Sequence, residues 1–187
     1  MKITVELENN RQLDKFIQLV NEFEKVNNHL KFKGLKVAFK YDMRSSGEFD
    51  DSKPNTISIN PNRCDNTGEF SAYLICIHEW SHLLDKKCKM LNVYKKEFKN
   101  DKLILTRYAK EKGETEHLAE IISMYLTNPH LLKLISEKHF EFVSRFFKSP
   151  TPCTREYFLT LYERYSPRYK KMLERKYGVA INLLTTN

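Results

Sequence analysis

The chain has 187 residues, 41% of them hydrophobic, which is enough for one buried core and most simply a single domain over 1–187. No run of about 18 apolar residues occurs, which excludes a membrane-spanning helix. A formal charge of +8 and a pI near 9.2 set it apart from acidic proteins and direct attention to where the excess cations lie.

Ile3, Val5 and Leu7 alternate with polar residues and predict a first strand. This start lacks the apolar core and small-residue cleavage site of a signal peptide, so a cytoplasmic location is expected. Asn9 or Asn10 is placed to cap a helix with Leu13, Phe16, Ile17, Val20 and Phe23 along one side. Leu35 to Tyr41 alternates again and predicts a strand. A turn at Ser45-Ser46-Gly47 and a loop from Asp50 through Asp51 to Pro54 then lead to a strand at Thr56–Asn60, which Pro61 stops. Together, residues 1–69 predict a small, mostly antiparallel sheet with one helix, and no strand is assigned between Leu35–Tyr41 and Thr56–Asn60.

From about Phe70 to Lys89, Phe70, Leu74, Ile77, Trp80 and Leu84 make a helical apolar stripe. Glu69 at its start and Lys86, Lys87 and Lys89 at its end suit the helix dipole. Inside this helix stands His78-Glu79-Trp80-Ser81-His82, an H-E-x-x-H motif. Four positions are just over one helical turn, so both imidazoles project from one face and can grip a single zinc ion. In this motif the intervening glutamate, Glu79, is the base that takes a proton from water. Two core histidines satisfied by backbone carbonyls are the bland alternative. The compact continuation with glycine and a third histidine is absent, because Asp85 and Cys88 occupy those positions.

The next stretch, Lys86 to Lys112, holds ten Lys/Arg against Glu97, Asp101 and Glu111. Lys89 to Lys102 reads as an irregular basic connector or short helix, and Leu103-Ile104-Leu105 leads into Tyr108. A helix is expected over 114–127, with Glu116 and Glu120 on the same face as Ala119, Ile122 and Ser123. Two carboxylates on a half-apolar face suit one metal ligand and one partner that orients a ligand histidine. A solvated glutamate-rich first turn is the competing reading.

A helix over 129–148 opens on Pro129, Ser149-Pro150-Thr151-Pro152 breaks it, and Thr154–Tyr165 is helical again. Ser166-Pro167 restarts a last helix that Gly178 ends, so residues 149–187 read as a helical appendage to 70–148. Tyrosines interleave with arginines and lysines here. Such a pattern can bind nucleic acid, although it more often marks a solvated amphipathic helix.

The order H-E-x-x-H-x-x-D from His78 to Asp85, then Tyr108, then E-x-x-A-E from Glu116 to Glu120, resembles the lethal-factor-like zinc metallopeptidases. These are gluzincins, a group that also holds the secreted Pro-Pro endopeptidases. The resemblance spans roughly 35–147 and implies a zincin-like α+β fold with an active-site helix and a helical C-terminal part. It makes Glu116 the third zinc ligand beside His78 and His82, and Glu120 the support of a zinc-bound histidine. It turns Tyr108 toward the substrate carbonyl and makes Asn55–Asn60 the edge strand along which a peptide substrate lies. Asp85 is either a second support for an imidazole or a helix-surface acid.

Cys64, Cys76, Cys88 and Cys153 form no C-x-x-C pair and read as reduced thiols. That favours an intracellular peptidase, including one of phage or mobile-element origin. The expected activity is zinc-dependent peptide hydrolysis by an endopeptidase, with Glu79 as base. The competing functions are a DNA-associated metallopeptidase that uses the basic surface and a non-catalytic binding or structural protein of zincin fold.

Overall fold

The computed structural model describes residues 4–5, 11–32, 34–50, 52–53, 55–64, 71–164, 171 and 175. The Asn9/Asn10 cap, Glu69 and Phe70, and the Ser166-Pro167 restart with its Gly178 end lie outside the described residues, as does most of the tyrosine–cation pattern. The chain divides into two compact units, Met1–Ser123 and Met124–Asn187. No helix among the described residues is long and apolar enough to cross a membrane.

The first unit is a small α+β arrangement. Strands β1 (Thr4–Val5), β2 (Lys36–Phe39), β3 (Gly47–Phe49) and β4 (Thr56–Ile59) form one sheet in the order β1-β2-β4-β3. The expectation of a mostly antiparallel sheet is corrected. β2 runs parallel to both β1 and β4, and only β3 pairs antiparallel, with Gly47 opposite Ile59 and Phe49 opposite Ile57. Alternation reports which side chains are covered and carries no information about strand direction. The unforeseen strand β3 occupies the outer edge, so the chain leaving β2 must pass β4's place and return, which leaves β2 and β4 parallel.

The same finding moves the edge. β4, expected to be exposed, lies between β2 and β3 with Ile57, Ser58 and Ile59 fully buried. Asn60, just after it, is buried and fastens the loop that precedes β3. Its Nδ2 donates to the carbonyls of Met43 at 2.8 Å and Tyr41 at 3.2 Å, and its backbone N–H donates to Ser46 at 2.9 Å.

Helix α1 (Arg11–Val26) buries Leu13, Phe16, Leu19, Val20 and Phe23, as its 3.6-residue pattern demands. It packs on α2 (Ala72–Cys88), which also covers β3 and β4. Ser71 caps α2 by accepting the Leu74 N–H, and Lys89 ends it in the left-handed conformation, φ 55°. Trp80 anchors the helix, with the rings of Phe23, Phe32 and Phe16 edge-on at 5.0, 5.8 and 5.9 Å. Two positions beyond His78, Trp80 points to the opposite side of the helix, so burying it turns the histidines outward from this aromatic cluster.

The basic connector Lys89–Lys102 takes the short-helix alternative as α3 (Met90–Glu97), and a further helix, α4 (Arg107–Lys112), follows it, capped by Thr106 through the Ala109 N–H. Helix α5 (Glu114–Thr127) has the predicted bounds. Beyond it, the single helix expected over 129–148 is two, α6 (Pro129–Ile135) and α7 (Glu137–Ser144). Ser136 divides them by adopting an extended backbone, and its hydroxyl bonds the His139 ring at 2.8 Å. Helix α8 (Arg155–Arg164) completes the described second unit, where Phe158 is fully buried.

Candidate metal centre

Helix α2 delivers His78, Glu79 and His82, and α5 delivers Glu116 and Glu120. The two helices are held in register by small polar residues. Ser81 bonds back to the Ile77 carbonyl at 2.8 Å and meets the Ser123 hydroxyl at 3.0 Å, and Ala119, one turn before Ser123, is buried. The face of α2 bearing 78, 81 and 82 therefore lies on the face of α5 bearing 116, 119, 120 and 123.

Both imidazoles turn Nε2 toward a single carboxylate oxygen, Glu116 Oε2, at 2.9 Å from His78 and 3.3 Å from His82. One donor atom from each of the three residues lies within 4.8 Å of the others, and among the described residues these three form the metal-capable cluster. A tetrahedral zinc about 2.1 Å from each donor sets neighbouring donors roughly 3.4 Å apart, beside 2.9 and 3.3 Å here from the Glu116 oxygen to the two imidazoles. Two imidazole nitrogens and one carboxylate oxygen also match zinc's preferences. The donor set fits a zinc ion.

Glu120 stands behind His78. Its Oε1 lies 3.1 Å from Nδ1, the ring nitrogen facing away from the cluster. A carboxylate there fixes the tautomer and orientation of the imidazole. Burial works against a charge on His78, but the hydrogen bonds to Glu116 and Glu120 outweigh it and lift the imidazole to about 10. Against the same effect of burial, the two histidines hold the Glu116 carboxyl down at about 2.

Glu79 is buried against the sheet edge. Burial raises its carboxyl above the ordinary value, the His78 and His82 charges pull it down, and the Phe49 backbone N–H helps to lower it. Tyr108, on α4, is 47% exposed with its ring 6.0 Å from that of His78. Burial raises its pKa, and the charges of Glu116, Glu79 and Glu120 add to the effect, so the phenol keeps its proton and can donate. Asp85 is not a surface acid. It is buried, and its Oδ1 accepts the Leu91 N–H at 2.7 Å, which ties the start of α3 to α2.

Two contributors were missed in the sequence. His117, next to Glu116, faces away from the cluster. The Leu105 N–H donates to its Nε2 at 3.3 Å, which leaves Nδ1 protonated toward the Tyr94 hydroxyl at 2.9 Å. This bond joins the segment entering α4, and hence Tyr108, to α5. Gly47 is the other, and lies where β3 passes Glu79. Nothing in the local pattern around either residue signals its partner, because both partners are distant in the chain.

No protein-family model, curated protein or solved structure matches the chain. The reading of the site therefore rests on its own geometry. His78, Glu79 and His82 on α2 with Glu116 on α5 are geometrically consistent with a zincin-like zinc-protease site.

Proposed function

We propose that this protein is a zinc-dependent endopeptidase of the lethal-factor-like gluzincin type. The observation that carries the reading is the convergence of two Nε2 atoms, one helical turn apart, on one oxygen of a glutamate from a second helix. His78, His82 and Glu116 hold the ion, and Glu120 orients His78. Asp85 acts only indirectly, by seating α3 under the same helix. A zinc ion bound there supplies a Lewis acid and brings the pKa of a water to about 7.

Glu79 takes the proton from the attacking water and returns it to the leaving nitrogen. Its burial suits this work, because a carboxylate with a raised pKa is a better proton acceptor near neutrality. The Tyr108 hydroxyl donates to the oxyanion that develops on the scissile carbonyl. The substrate is an extended polypeptide, and β3, the outer strand beside Glu79 among the described residues, offers it a strand edge in place of β4. This mode leaves both ends of the peptide free, as internal cleavage requires.

Glu79→Gln tests the proposal. The variant should bind one equivalent of zinc like the parent, while cleavage of a labelled casein or a peptide library falls by about 10²–10⁴-fold. A chelator should abolish the parent's activity. Cleavage by Glu79→Gln at the parent's rate would end the assignment.

The exposure of Lys86, Lys87, Lys89, Lys95, Lys96, Lys99 and Lys102 gives some support to a DNA-associated variant of the same activity. It requires salt-sensitive DNA binding and faster proteolysis when DNA is present.

A further inference from the structure

Glycine in a strand gives up stability, and its presence often marks a close approach of another group. Gly47 lies in β3 without a left-handed backbone, since the positive-φ glycines among the described residues are Gly34 and Gly113. Conformation alone would admit any residue. Space does not: a Cβ built on Gly47 would lie 2.5 Å from Ile75 Cγ2, 2.6 Å from Glu79 Oε1 and 2.9 Å from Glu79 Cγ. Two of those three atoms belong to Glu79, the residue assigned above to proton transfer.

We propose that Gly47 is a positioning residue for Glu79: its bare Cα lets the carboxylate lie against the edge strand, where the Phe49 N–H restrains it. The inference rests on the role given to Glu79. The two crowded groups differ in how they can respond to a methyl group. Ile75 Cγ2 is fixed one bond from its Cβ, on a helix clamped by the core. Glu79 Cγ and Oε1 both move when the side chain turns about its Cα–Cβ bond, so relieving the contact with Glu79 carries the carboxylate off the strand. None of the three atoms nearest that Cβ belongs to His78, His82 or Glu116, so the metal-binding set is expected to stay in place when Glu79 swings away. Misplacing a reacting group by about 1 Å costs on the order of 100-fold in rate.

The test compares the full chain with Gly47→Ala, with Ile75→Ala, and with Gly47→Ala/Ile75→Ala, which removes the stiffer collision and keeps the one with Glu79. Gly47→Ala should bind one equivalent of Co2+ with an unchanged visible absorption spectrum. On fluorescein-labelled casein its kcat should fall about 100-fold with KM within about twofold. Its crystal structure should show the Glu79 carboxylate rotated off β3. If Gly47→Ala does not fold, the double variant is compared with Ile75→Ala in the same three measurements. An unmoved carboxylate, or unchanged kcat, overturns the proposal. Failure of both glycine variants to fold while Ile75→Ala folds also overturns it, by making Gly47 a packing requirement alone. If the parent binds cobalt but cleaves no casein, the peptidase reading fails separately, and the crystallographic position of Glu79 still decides the role of Gly47.

Discussion

Loading the metal-free protein with zinc at pH 6 is expected to release at least one proton, that of His78. Without metal, this imidazole is clasped between Glu116 at 2.9 Å and Glu120 at 3.1 Å. Burial disfavours its charge, but those bonds lift its pKa from 6.5 to about 10. The depressed Glu116 carboxyl is the other half of the same ion pair and is counted once. A ligand imidazole must be neutral, so zinc has to displace the proton. The His78 proton by itself should therefore make apparent affinity climb about tenfold per pH unit, or about 100-fold and 2.7 kcal/mol between pH 6 and pH 8. Calorimetry in two buffers of different ionisation enthalpy counts the protons directly. The same shift links pH to the stability of the metal-free fold. A raised folded-state pKa stabilises fully below about 6.5, and the contribution is lost as pH rises through about 10. Thermal melting of the metal-free chain should fall across that window, and Glu120→Gln should flatten the decline. Stoichiometric zinc binding at pH 6 with no proton released would refute the reasoning, because His78 would then be neutral before the ion arrives.

Glu120→Ala should weaken zinc binding by about 10–100-fold, the range for losing a carboxylate behind a ligand histidine, whereas Glu116→Ala should exceed it. Competition with a chromogenic chelator ranks the two, and the reverse order would make Glu120 the ligand. Trp80→Ala should destabilise the fold by about 3–5 kcal/mol in urea denaturation, since it empties the centre of the cluster formed with Phe16, Phe23 and Phe32. A loss under about 1 kcal/mol would mean the histidine-bearing helix is anchored elsewhere.

The local sequence determined what helical periodicity can specify. The four-residue spacing of His78 and His82 put both rings on one face, and that of Glu116 and Glu120 did the same for the carboxylates. The apolar stripes of α1 and α2 foretold which sides of those helices would be buried. The pairing of the two faces depended on contacts across the chain, such as Ser81 meeting Ser123. Only the tertiary structure decided the order and direction of the strands. β3 has three residues, one of them glycine, too short for an alternation to be read. Its place at the edge made β4 interior and brought Gly47 against Glu79. Spacing along a chain specifies the face from which a side chain projects; the surface that face meets is chosen by packing among residues far apart in sequence.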